Sequence, residues 1–247
     1  EGKAEALVSA GNTGAVIASC LVTMGRLRGV SRPAITTFMP NMKRGAVVLD
    51  VGANSECTPK NLLQFGVMGT VFAEHQLGIE NPRVGLLNIG EESSKGNELV
   101  REAYKLLDGE KINFVGNVEG RDVFSGRVDV VVCDGFVGNV VLKFSESIIF
   151  FMTHLLRNEI KKRLFARLGA AMMMGAFGGM KAKLDYAEYG GAPLLGVNGV
   201  TIISHGRSSA RAIKNAVLVA QKFVNEGINA RIEERFKGMV KDVAKVS

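Results

Sequence analysis

The sequence predicts an α/β fold, a doubly wound and mostly parallel sheet that carries a projecting helical arm. Three observations lead there. Short apolar runs recur, each leaving through small polar residues and glycine into a helical pattern, the alternation that builds parallel sheets. The runs are apolar throughout, as in strands covered on both faces; Val130-Val131-Val132-Cys133 is the clearest. From Val137 to about Leu168 a helical pattern continues without proline and, after Gly138, without glycine. At 1.5 Å per residue it would span on the order of 45 Å, more than a compact domain needs, so it should project.

Taken in order, Leu7–Ser9 opens the chain as a strand, and Asn12 to Gly25 reads as a helix with Asn12 or Thr13 as its cap. Ala34–Met39 and Ala46–Val51 are strands joined by the basic turn Asn41–Gly45. Thr58-Pro59 starts a helix to Leu77 that is apolar nearly all round, hence core or subunit interface. Arg83–Ile89 is a strand, Asn97–Leu107 a helix, Ile112–Gly116 a short strand, and Val118–Asp122 a polar elbow before the Val128 strand. The long helix should end at Gly169, followed by an apolar tip, Ala170–Met180. Gly190–Gly196 reads as a loop, Val200–Ser204 as the last strand, Arg207–Gly227 as an amphipathic helix, and Ala230–Phe236 as a charged closing helix. The expected organisation is one domain, residues 1–247, with an arm at 139–184.

Composition excludes several classes. A 47% apolar chain with only 5 prolines is not disordered. Cys20, Cys57 and Cys133 are far apart, which fits reduced cytosolic thiols and neither a disulfide framework nor zinc. His75, His154 and His205 show no metal-ligand spacing. No apolar run looks long enough to cross a bilayer, and no signal peptide is visible. Of the net charge of +7, six units lie between Leu155 and Leu184, where seven basic residues face Glu159 alone. A broad nucleic-acid face is therefore not expected. The apolar tip, with Met172, Met173, Met174 and Phe177 inside a cationic collar, suits either a bilayer interface or a helical hairpin buried in a dimer.

The chemistry-bearing residues sit at the strand exits. Dinucleotide, P-loop and nucleophile-elbow signatures are missing. Five exits stand out: Ser9-Ala10-Gly11-Asn12-Thr13-Gly14, Asp50-Val51-Gly52-Ala53-Asn54, Asn88-Ile89-Gly90-Glu91-Glu92, Cys133-Asp134-Gly135-Phe136-Val137-Gly138-Asn139 and Ser204-His205-Gly206-Arg207-Ser208-Ser209. Ligands of open α/β sheets bind beyond the carboxyl ends of strands, and helix starts there favour anions. All five are expected on one edge. Such a ring of Asn, Ser, Thr, His, Arg and Lys suits an oxyanion and offers no activated covalent nucleophile.

These motifs, with Lys95-Gly96-Asn97-Glu98, Val118-Glu119-Gly120-Arg121-Asp122 and Gly190-Gly191-Ala192-Pro193-Leu194-Leu195-Gly196, resemble the bacterial acyl-acyl carrier protein:phosphate acyltransferase family. The resemblance covers essentially the whole chain. It implies a sheet like that of phosphotransacetylases and isopropylmalate dehydrogenases. It also implies that the chain corresponds to the family's C-terminal part, without a further N-terminal βα portion. The implied reaction is attack of inorganic phosphate on the thioester of an acyl carrier protein, with no cofactor and no metal, yielding acyl phosphate for phospholipid synthesis. Implied partners are acyl carrier protein, inorganic phosphate, a second copy in a homodimer, an anionic membrane touched peripherally from the cytoplasm, and a membrane acyl-phosphate:glycerol-3-phosphate acyltransferase; nucleic acid is not among them. On this resemblance His205 and Asn139 are the catalytic candidates. His205 would donate to the thioester oxygen or protonate the leaving thiolate, unless it is a structural turn histidine. Lys143, Arg207 and Ser208 are the phosphate candidates. Asn12, Thr13, Asn54 and Ser204 would supply further donors. Two alternatives stay open: a phosphotransacetylase using coenzyme A thioesters, and a non-catalytic membrane-associated scaffold.

Overall fold

The structure, a computed structural model, describes residues 3–184 and 190–246; Tyr186 and Tyr189 lie outside them. Its elements run β1 (Ala6–Ser9), α1 (Thr13–Thr23), β2 (Ala34–Met39), β3 (Ala46–Leu49), α2 (Pro59–Gln76) and β4 (Val84–Leu87). There follow α3 (Glu98–Asp108), β5 (Phe114–Val118), α4 (Gly120–Ser125), β6 (Val130–Val132) and α5 (Gly135–Lys162). Then come α6 (Leu164–Met172), α7 (Met174–Leu184), β7 (Ala192–Leu195), β8 (Val200–Ile203), α8 (Ala210–Asn225) and α9 (Ile228–Val246).

The strands form one sheet in the order β1-β8-β7-β2-β3-β6-β4-β5. Neighbours β1 and β8 are parallel, as are β3 with β6, β6 with β4, and β4 with β5. The three joints around β7 and β2 are antiparallel. The sheet is therefore mixed. Strands β1, β8 and β2 run one way, and β7, β3, β6, β4 and β5 run the other. This corrects the expectation that all five glycine exits share one edge: the exits of β1 and β8 lie to one side of the sheet, those of β3, β4 and β6 to the other.

Both faces are covered, as the apolar runs require. Val47 and Leu49 of β3, with Val130 and Val132 of β6, point into a core built from α2, α3, α8 and α9. Val48 and Val131, one residue out of phase, point into a second core with Val16 and Cys20 of α1 and Val123 of α4. Helix α2 is core. Thr58 and Asn61 close a capping box around Pro59, and Phe65 and Met68 are fully buried. A Cβ on Gly69 would stand 2.6 Å from Val130 and 2.8 Å from Leu49, so only glycine lets α2 lie this close to the sheet.

Two further expectations are corrected. Residues 192–195, read as loop, form β7. Its two halves pair with different neighbours, Ala192 and Pro193 with β8, Leu194 and Leu195 with β2, so Pro193 interrupts only one ladder. The long helix breaks at Arg163, which is extended (φ −126°, ψ 126°), and α6 then runs on through Gly169. The tip is thus helical, two short helices meeting at Met173.

The arm leaves the sheet through the first turn of α5. Beyond that turn its apolar residues are uncovered: Phe144 is 66% exposed, Phe150 75% and Met172 90%. Helix α5 is also long and apolar enough to cross a membrane by length and composition. Lys143 and Glu146 hide this in the sequence by breaking the apolar run.

Candidate active site

Strands β1 and β8 are parallel neighbours, and the Ser204 N–H donates to the Ser9 carbonyl at 2.7 Å. Their exits, Asn12–Thr13 and Ser204–Ser208, therefore lie together. Asn12 caps α1, its Oδ1 accepting from Ala15 N at 3.0 Å, and Thr13 is the first helical residue. Ser209 caps α8 in the same way, accepting from Ala212 N at 3.2 Å. Neither helix has an acidic residue in its first turn. Two uncompensated positive dipole ends thus flank one point of the sheet edge.

His205, Gly206 and Arg207 are exposed there, above the buried Ser204. The Arg207 backbone N–H donates to His205 Nδ1 at 3.1 Å, and Ser208 N–H donates to the His205 carbonyl at 2.8 Å. A ring nitrogen that accepts this bond carries no proton, so the neutral imidazole holds its proton on Nε2 and is a donor there. Ser204 Oγ is buried without a hydrogen-bond partner among the described groups.

The second group forms where β3 and β6 end. Its centre is Asp50, which sequence reasoning passed over. The side chain is fully buried and takes five N–H donors: Ile35, Gly52 and Ala53 on Oδ1, and the Asn54 backbone and side chain on Oδ2, at 2.7–3.1 Å. Burial pushes the Asp50 carboxyl above its ordinary value, against the pull of the bonds from Ala53, Asn54 and Ile35. The Asp-x-Gly-x-Asn spacing around Gly52 was the available signal.

Asn54 was expected to donate to substrate. Both hydrogens of its amide are instead engaged, by the Pro33 carbonyl at 2.7 Å and Asp50 at 2.8 Å. It positions the turn. Asp134 caps α5 by accepting from Val137 N at 2.9 Å, and Gly135 N–H donates to the Asn54 carbonyl at 2.8 Å. Asn139 is exposed opposite Gly52. Lys143 lies one turn further along α5, exposed and paired with Glu146 at 3.2 Å. The structure thus gathers Asn12, Thr13, Ser204, His205, Arg207 and Ser208 in one group, and Asn54, Asn139 and Lys143 in another.

Helix α1 links the two. It starts at the His205 group, and its flank, Ile17 and Leu21, lines an open cavity of about 840 Å³ whose other walls include Arg26, Val30, Arg32 and Asn54. At about 1.5 Å per residue, Ile17 is ~6 Å and Leu21 ~12 Å along the helix from Thr13. Cys57 and Cys133 are held as weakly acidic thiols. Burial and the nearby Asp50 charge push Cys57 up to about 11, and the same causes raise the fully buried Cys133.

A family model described as a fatty acid synthesis protein matches residues 1–231. The phosphate acyltransferase of Heliobacterium modesticaldum is 56% identical over 98% of this chain and 72% of that protein. That of Aquifex aeolicus is 52% identical over 100% and 73%. The chain belongs to the phosphate acyltransferase family. It spans about three quarters of the length of these two relatives.

Solved structures extend the likeness to the fold. The EutD phosphotransacetylase of Staphylococcus aureus superposes with a TM-score of 0.59 at 20% identity, over 90% of this chain and 64% of that one. A phosphotransacetylase of Streptococcus pyogenes gives 0.61 at 19% identity, with the same coverage. The chain thus spans a little under two thirds of these solved chains. At such identity they speak for the fold alone, and the fold expected from the sequence is the one they share.

Proposed function

We propose that this chain transfers a fatty acyl group from acyl carrier protein to inorganic phosphate, producing an acyl phosphate for phospholipid synthesis. The carrying observation is the meeting of two acid-free helix starts with the His205 Nε2–H donor at the β1–β8 exit. Hydrogen phosphate is already an oxyanion at neutral pH, so the site's work is placement and charge stabilisation. One phosphate oxygen attacks the thioester carbonyl carbon, the C–S bond breaks, and the proton carried by the phosphate passes to the leaving thiolate. Helix-start N–H groups and Arg207 hold the phosphate. A neutral His205 that gave up its Nε2 proton would be left as an imidazolate, so it serves as hydrogen-bond donor to the developing oxyanion, and the alternative of protonating the thiolate is set aside.

The test is hydroxylamine trapping of acyl phosphate, with carrier-protein and coenzyme A thioesters offered in parallel, with and without phosphate. Product from the carrier thioester alone, and only with phosphate, is expected. Equal use of coenzyme A thioesters would make the chain a phosphotransacetylase-type enzyme. Absence of any phosphate-dependent thioester loss would leave the scaffold alternative.

The arm fits two further roles in the same proposal. Its stem presents apolar residues, Phe144, Ile148, Phe151 and Leu155 among them, to a second copy in a homodimer. Its tip, Met172, Met173, Met174 and Phe177, touches the cytoplasmic face of an anionic membrane, each basic residue near the surface adding about 1 kcal/mol. There the product would meet a membrane acyl-phosphate:glycerol-3-phosphate acyltransferase. In vesicle flotation, the double variant Met172→Asp/Met174→Asp is expected to lose binding to anionic vesicles. Equal flotation of variant and wild type would confine the methionines to protein packing.

A further inference from the structure

The cavity along α1 has a composition that the reaction described so far does not use. One wall is apolar, from Ile17 and Leu21 on the helix to Val30 on the loop before β2. Two guanidinium groups, Arg26 and Arg32, line it as well. Among the described residues neither has a carboxylate partner. Arg26 donates to the Ser31 carbonyl and so holds its own loop in place. Arg32 is exposed, and its charge acts on Cys57, beside the β3 exit. Gln64 braces the same loop from α2, accepting from Ser31 N at 2.8 Å and donating to the Gly29 carbonyl at 2.7 Å. The cavity wall is thus built on fixed backbone, with one cation anchored and one presented.

A cavity of this size holds a ligand of ordinary small-molecule dimensions. Apolar surface beside an unpaired guanidinium selects a ligand that is itself divided, with a flexible apolar chain and a phosphate-type anionic end. We propose that this cavity seats such an amphiphile, its chain along Ile17, Leu21 and Val30 and its anionic end on Arg32. Within the acyl-transfer reading, on which the identity of the ligand rests, two molecules have this chemistry: the acyl phosphate product and the phosphate-bearing prosthetic arm of the carrier. Along helix α1, Ile17 and Leu21 stand about 6 and 12 Å from Thr13, so the seat begins beside the His205 group and its anionic end lies apart from it.

The test uses binding and not turnover. Dodecyl phosphate, a stable mimic of an acyl phosphate, is titrated calorimetrically into wild type, Arg32→Gln, Arg32→Glu, Leu21→Trp and His205→Ala. Saturable one-to-one binding is expected, weakened at least about tenfold by either Arg32 variant and by filling the cavity with Leu21→Trp, and unchanged in His205→Ala. Inorganic phosphate alone should bind far more weakly. Competition by phosphopantetheine would assign the seat to the carrier arm, and lack of competition would assign it to the acyl phosphate. The exposed Arg32 can be changed without touching the core, so its variants guard against a folding artefact at Leu21. Equal binding by wild type and both Arg32 variants would overturn the proposal, as would loss of binding in Met172→Asp/Met174→Asp in place of the cavity variants. Arg32-dependent binding in a protein that forms no acyl phosphate would retire the reaction and keep the site.

Discussion

Replacing His205 by alanine is expected to lower acyl phosphate formation about 10²–10³-fold, the usual consequence of removing one oxyanion donor. The melting temperature should hardly move, because the side chain is exposed at a strand exit and supports no core. The turnover number should fall, with little change in the KM for phosphate, since the bond to the substrate oxygen strengthens only as charge develops. Arg207→Ala should behave differently and raise the KM for phosphate. Initial rates at varied phosphate separate the two. Undiminished turnover in His205→Ala would remove that residue from the chemistry, and a matching rise in KM would recast it as a binding residue.

The largest loss of stability is expected from Gly138→Ala. A Cβ there would lie 1.9 Å from the Asp50 carbonyl oxygen and 2.9 Å from Cys133 Sγ. The first of these contacts is backbone and cannot rotate away. Overpacking of this kind typically costs about 1–3 kcal/mol or more, which lowers the melting temperature of a chain this size by roughly 5–10 °C. The clash would also move α5, and with it Asn139, away from the Asp50 turn. Gly169→Ala is the matched control. Nothing lies within 4 Å of its added methyl group, and alanine is the better helix former, so this variant should be neutral or slightly stabilised. Calorimetric melting of the two variants decides the matter. Equal melting temperatures would mean that the β3 and β6 exits are not locked together at Gly138.

Much of this architecture was legible because its signals are local. Thr58-Pro59 announces a capped helix within two residues, and Val130-Val131-Val132 can only be a strand covered on both sides. The direction of a strand is not local. Nothing in Ala34–Met39 says that its neighbours will be the antiparallel β3 and β7, and that one fact divides the exits into two groups. Pro193 disguised β7, since proline is read as excluding a central strand. The break at Arg163 carries no glycine or proline to reveal it.

The site was legible to a similar depth. Its residue types and strand-exit positions came from spacing, and the His205 turn does follow the last strand, but on the edge opposite the exits of β3, β4 and β6. The engagement of the Asn54 amide was not readable, because its partners, Pro33 and Asp50, meet it only when β2 and β3 pair. The role of Asp50 was hidden for the same reason. An aspartate before a glycine turn looks solvent-facing until its five donors are assembled around it.

The central claim is that phosphate itself, held at the β1–β8 exit, attacks the thioester carbon. The most direct measurement is mass spectrometry of the product formed from acyl carrier protein thioester and phosphate carrying ¹⁸O at all four oxygens. An acyl phosphate that retains every labelled oxygen, the bridging one included, is the expected product. Release of free fatty acid carrying oxygen from water, with the labelled phosphate unconsumed, would contradict the account.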